Sequence, residues 1–136
     1  MKPAPNRSTF FQGILQHETP EYSVKLPIFY YDNTSMTALF TAFTEKLRSR
    51  MPSEALHPVE LYPGRSLVAL SAFEYRSSDI GPYNQFSLAA LVTCGSKGLP
   101  GLSLLGQLLH NVLNVHILAL PVDSEVARKG GVEMAG

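Results

Sequence analysis

Residue types that carry chemistry are sparse in this chain and stand apart from one another. Histidines occur at 17, 57, 110 and 116, and Cys94 is the one cysteine. A separation of six puts His110 and His116 neither on one helical face nor at a standard zinc spacing, and a lone thiol makes no disulfide framework. The lysines, Lys2, Lys25, Lys46, Lys97 and Lys129, sit in polar or helical-surface contexts. An amine attacks a carbonyl only after losing its proton, so these are poor settings for a nucleophile. No nucleophile elbow, phosphate-binding loop, dinucleotide fingerprint or metalloprotease helix is present.

The stretch DIGPYNQFSLAAL at residues 79–91 is more informative. It opens with a tight-turn signal, places Asn84 and Gln85 after Tyr83, and then becomes apolar. A polar pair at the entrance to a buried strand serves either to cap a loop backbone or to line a reactive pocket. Arg76, just upstream, reads as an exposed loop cation or as an anchor for a carboxylate. His116 alternates with Val115 and Ile117 in VHILAL, so it is a core histidine or faces a pocket.

The elements that must hold these residues follow from periodicity. Residues 1–20, rich in Pro, Asn, Ser and Thr, form an arm, and residues 22–31 are β-rich but interrupted by Pro27. Met36, Leu39, Phe40, Phe43, Leu47 and Met51 recur at three- and four-residue intervals behind Asp32, Asn33 and Thr34. That pattern predicts an amphipathic helix, closed by Pro52. Strands are expected over 55–62, 66–75 and 86–93, with a turn at 63–65 and a flexible loop at 95–101 able to act as a flap. LSLLGQLLHNVL at 102–113 reads as a short helix or as part of a strand, and 115–120 as a strand. DSEVARKGG at 123–131 reads as a helical turn capped by Asp123 or Ser124. The fold class is α+β, mainly antiparallel sheet with one clear amphipathic helix.

At 136 residues the chain has the length of one domain, and eleven basic residues balance eleven acidic ones without a charged block. Nucleic acid and membrane are therefore not expected as partners. The first residues lack the apolar core of a signal peptide, and a cytoplasmic location is the default.

The order of segments resembles the acetoacetate decarboxylase-like superfamily. Two motifs carry the resemblance: Gly81-Pro82-Tyr83-Asn84-Gln85, and Leu120-Pro121-Val122-Asp123-Ser124-Glu125 running on to Gly131-Val132-Glu133-Met134-Ala135-Gly136. Over residues 22–136 it implies a conical, barrel-like antiparallel sheet, a homo-oligomer, no cofactor, and a lysine Schiff base with a small keto acid. The domain would span 21–136. By the same resemblance Gln85 stands at the family's acid position and Glu133 in the segment that positions the nucleophile; Tyr83 lies in the first motif, and with Arg76 and His116, read from their own contexts, it is a candidate for lining a substrate pocket. The sequence departs from the pattern at Gln85, an amide where the family has an acid, at Leu70 near a second acid position, and at Val132 in place of arginine. The nucleophilic lysine is expected beyond Gly136, in a longer parent chain. Two functions follow as expectations. One is decarboxylation, or an aldol- or dehydration-type variant, through the iminium. The other is a non-catalytic small-molecule binding or assembly module.

Overall fold

The computed structural model describes residues 11, 13–19 and 24–131. In chain order the elements are β1 (His17–Thr19), β2 (Val24–Leu26), β3 (Tyr30–Phe43), α1 (Thr44–Arg48), β4 (Leu56–Pro58), β5 (Glu60–Tyr62), β6 (Arg65–Ser78), β7 (Tyr83–Cys94), α2 (Leu102–Leu109), β8 (Val115–Ala119) and α3 (Glu125–Lys129). The described residues fall into two compact units. Unit 1 takes them from Met1–Ser35, Ala72–Gln85 and Pro121–Gly136; unit 2 takes Met36–Ser71 and Phe86–Leu120. Strands β3, β6 and β7 each contribute residues to both.

The main sheet runs β3-β6-β7-β4, with β5 paired to β6 and β8 paired to β7. Its ends do not meet. The barrel-like closure expected from the resemblance is therefore incorrect: this is an α+β fold with an open antiparallel sheet. Closure needs terminal strands of matching length with free donors and acceptors. Here one terminus is β3, fourteen residues long, and the other is β4, three residues ending in Pro58, which has no N–H to donate.

The helix expected over 36–51 is also corrected. Through Phe43 this segment is strand β3, and only Thr44–Arg48 turns helical. Asp32, Asn33 and Thr34 cap nothing there; the residue at the head of α1 is Phe43, without a side-chain cap. A three- and four-residue apolar spacing describes a helix face only if that face is buried. Met36, Leu39, Phe40 and Phe43 are all exposed, whereas Leu47, inside α1, is buried. Thr37, Phe40, Thr41 and Phe43 suit a strand equally well, and pairing with β6 decides between the two. Across that pair the Thr37 and Ser71 hydroxyls lie 2.8 Å apart.

In unit 2, β7 carries the core. Ala89, Ala90, Leu91 and Val92 are consecutive and buried, as in a strand covered on both faces. Alternation sends Ala90 and Val92 to a cluster with Leu47 and Val68, while Leu91 joins Val59 and Leu67. Ala42, Leu56 and Leu118 pack on the first cluster, and Leu104 of α2 on the second. Between β6 and the start of α1, Thr44 and Ser66 are buried with their hydroxyls 2.9 Å apart. The loop at 95–101 is pinned: the Thr93 hydroxyl donates to the Ser96 carbonyl, and Gly101 N–H donates to the Glu60 carbonyl at 2.8 Å.

Helix α2 settles the ambiguity of 102–113 in favour of a helix, although none of its eight residues is buried. Its inner side presents Leu104 and Gln107, whose amide donates to the Val92 carbonyl at 3.0 Å and accepts from Asn114 N–H at 2.9 Å. Leu102, Leu105 and Leu109, at i, i+3 and i+7, form a second stripe that is exposed. Among the described residues no helix is long and apolar enough to cross a membrane.

Candidate functional site

The residues able to do chemistry gather in unit 1 around three tyrosines. Alternation along β6 puts Phe73 and Tyr75 on one face and Glu74 and Arg76 on the other. The Tyr75 ring stacks on Tyr83 at 4.6 Å between centroids and lies 4.8 Å from Tyr30; Phe73 stacks parallel to Tyr75 at 5.9 Å. The Tyr83 hydroxyl donates to the Tyr30 hydroxyl at 3.1 Å. Tyr83 is buried, and that burial, followed by the Tyr30 contact, pushes its phenol well above the ordinary range. Burial also raises Tyr75, with Tyr30 adding to it. A buried phenolate would lack water and a cation to stabilise it, so these groups act as neutral hydrogen-bonding phenols and not as bases at neutral pH.

Arg76 is occupied by the protein itself. Its Nε and Nη2 donate to the two oxygens of Asp32 at 2.9 and 2.6 Å, and Nη1 donates to Thr34 Oγ1 at 2.7 Å and to Glu74 Oε2 at 2.9 Å. The fork that would receive a substrate carboxylate thus holds an internal one. The hydrogen bonds to Asp32 first, and to Glu74 next, raise the guanidinium above its ordinary value.

The polar pair of β7 divides its work. Asn84 clamps Asp123, its backbone N–H and side-chain amide donating to the two carboxylate oxygens at 2.8 Å each. Asp123 N–H returns a bond to the Asn84 carbonyl at 3.2 Å. The Asn84 backbone bond, then its side chain, holds the Asp123 carboxyl below the usual range. Gln85 is half-buried and forms a backbone bridge with Val122. Together these fasten residues 122–123 to the mouth of β7, and Ser124 Oγ then caps α3 by accepting from Ala127 N–H.

A second polar hub ties in the N-terminal arm. Asp79 accepts from Gln16 Nε2 at 2.6 Å, Phe29 N–H at 2.9 Å and the Tyr31 hydroxyl at 2.6 Å. Phe11 stacks on Phe29 at 4.5 Å. The turn that follows needs Gly81, whose φ of 87° is a left-handed conformation costly for other residues.

Of the residues singled out from the sequence, Tyr83, Arg76 and Gln85 lie in unit 1, and Tyr83 is joined there by Tyr30 and Tyr75. His116 lies in unit 2 on β8, half-buried, in register with Ala90. Glu133 lies outside the described residues. Missed from the sequence were Tyr30, Tyr75, Asp32 as the partner of Arg76, and the Asn84–Asp123 clamp. Alternation of Phe73, Glu74, Tyr75 and Arg76 was a local signal for Tyr75 alone; Tyr30 and Asp32 meet their partners only through long-range pairing. Among the described residues no three histidine, cysteine or acidic side chains gather closely enough to hold a metal ion.

No family model matches the chain, and searches of curated proteins and of solved structures find no match either. With the open sheet, this removes the support for placing the chain in the acetoacetate decarboxylase-like superfamily; the GPY and LPV motifs are short turn-and-strand signals that other folds also use.

Proposed function

We propose that this chain is an assembly module, whose unit 2 is completed by association with a second copy of itself. The observation that supports this is the apolar surface of unit 2. Scattered exposed leucines are ordinary, but a dense run of exposed apolar side chains along neighbouring elements is the kind of surface that interaction sites use. On β3, Met36, Leu39, Phe40 and Phe43 are exposed, and between residues 102 and 117 so are Leu102, Leu105, Leu108, Leu109, Val112, Leu113, Val115 and Ile117. The core that opposes them is thin, built largely on the four residues 89–92 of β7 and their neighbours.

A second copy is the favoured occupant on charge grounds. Eleven acidic and eleven basic residues cancel, so copies do not repel at long range. The 102–117 stretch carries no Asp, Glu, Lys or Arg for a charged partner to read. The described lysines, Lys25, Lys46, Lys97 and Lys129, are exposed, so the reading rests on assembly and not on a desolvated amine.

Sedimentation equilibrium over about a hundredfold range of concentration tests it, since association follows mass action. The expected result is a mass at least twice that of the chain, falling toward one chain on dilution. A single-chain mass throughout would refute it. Treatment with borohydride and a small keto acid is expected to leave the chain mass unchanged; a reduced lysine adduct would replace assembly with Schiff-base chemistry.

A further inference from the structure

We infer that strand β3 is the joining edge: residues Met36–Ala42 of two copies pair antiparallel about a two-fold axis midway between the two Leu39 residues, extending the sheet across the dimer. This rests on the assembly reading and names one contact of unit 2, the β3 edge, which is distinct from the 102–117 surface.

Among the described residues β3 ends the strand path, paired on one side with β6, and no other described strand lies beside Met36–Phe43. Long edges are normally blunted by charge, proline or a bulge, because unpaired N–H and C=O groups recruit another strand. From Met36 to Phe43 there is no charged residue, no proline and no glycine. The remaining edges are short: β4 has three residues and ends in Pro58, and β8 has five. Pairing through β3 therefore consumes the one long edge and closes at two copies, where a head-to-tail contact would propagate.

The register is specified by the side chains. A two-fold axis normal to a continuous sheet must pass midway between the two copies of a self-paired residue, because opposed residues point to the same face. With Leu39 at that position, Met36 opposes Ala42, Ala38 opposes Phe40, and Thr37 opposes Thr41, each pair occurring twice. On one face every large side chain meets a small one; on the other, threonines meet threonines around the Leu39 pair. Threonine pairs across strands are favourable. Shifting the axis to Ala38 sets Met36 against Phe40 and Thr37 against Leu39. Shifting it to Phe40 sets the two Phe40 rings against each other and Leu39 against Thr41. Only the Leu39 register is complementary on both faces.

The pairing also extends the core. Ala42 already packs on the Leu47, Val68, Ala90 and Val92 cluster. In this register Met36 of the second copy lies beside it. Met36, Leu39 and Phe40, which are 73%, 61% and 52% exposed, are the side chains so covered.

Cysteine cross-linking tests the register in a Cys94→Ser background, which removes the native exposed thiol. Leu39→Cys is expected to oxidise to a covalent dimer, since directly opposed Cβ atoms lie about 5 Å apart. Thr37→Cys alone is expected not to, because its own copy lies roughly 13 Å along the strand. A mixture of Thr37→Cys and Thr41→Cys chains is expected to cross-link, with circular dichroism verifying that each variant folds. A sedimenting dimer that fails to cross-link in both the Leu39→Cys chain and the mixture, or that cross-links through Thr37→Cys alone, overturns the β3 register and leaves the assembly reading standing. A single-chain mass for the unmodified protein overturns both.

Discussion

The two units solve the same problem in opposite ways. Unit 1 closes on itself with directional contacts: the Tyr30, Tyr75 and Tyr83 cluster, the Arg76 fork on Asp32, the Asp79 hub and the Asn84–Asp123 clamp. Unit 2 relies on an apolar core along β7 and leaves α2, β8 and the β3 edge with apolar side chains in solvent. Hydrogen-bonded networks are satisfied one group at a time and can be complete in a small unit, whereas apolar burial scales with area and a small unit runs out of it. The polar unit is therefore the specific part of this molecule, and the apolar unit is the part that needs company.

The largest expected effect lies in unit 2. Leu91→Ala removes the central side chain of the Val59 and Leu67 cluster and is expected to cost about 3 kcal/mol, as buried leucine truncations do. If association completes this unit, the melting temperature of the parent protein rises with concentration, and dilution deepens the loss in the variant. Melting curves independent of concentration would break the contrast between the units.

Tyr83→Phe probes unit 1 and is expected to cost about 1 kcal/mol at neutral pH by leaving the Tyr30 hydroxyl without its donor. Its pH signature is sharper. A phenol whose folded pKa is raised binds its proton more tightly when folded. The stability it contributes is therefore complete below the ordinary value of 10.0 and is lost as pH rises toward the raised value. The alkaline fall in melting temperature is expected to flatten in Tyr83→Phe. An unchanged alkaline limb would mean that Tyr83 is not the titrating group.

The smallest effect concerns His57 on β4, whose Nδ1 is buried without a hydrogen-bond partner among the described residues. Replacing it by an apolar ring, His57→Phe, removes an unsatisfied group and is expected to stabilise by up to about 1 kcal/mol in denaturant titration. Destabilisation would show that Nδ1 finds a partner in the associated protein, which would make unit 2 more like unit 1.

Local chemistry was legible in the residues themselves. Gly81 and Gly64, at φ of 87° and 79°, mark the turns before β7 and β6, and Ser124 caps α3. The unbroken apolar run at 89–92 announces a strand buried on both faces, and the charge balance weighs against a polyanionic partner. These depend on one residue or a few neighbours, so composition and spacing determine them. The tertiary structure decided what depends on distant partners. Residues 36–43 satisfy the spacing of a helix and the propensities of a strand, and hydrogen bonding to β6, whose nearest residues are more than twenty positions away, resolves them as β3. Whether the sheet closes, which phenols meet Tyr83, and that Asn84 and not Gln85 holds a carboxylate are matters of long-range pairing. Two turn-and-strand motifs suggested a closed barrel because short motifs report local geometry, whereas closure depends on how the terminal strands of the sheet match.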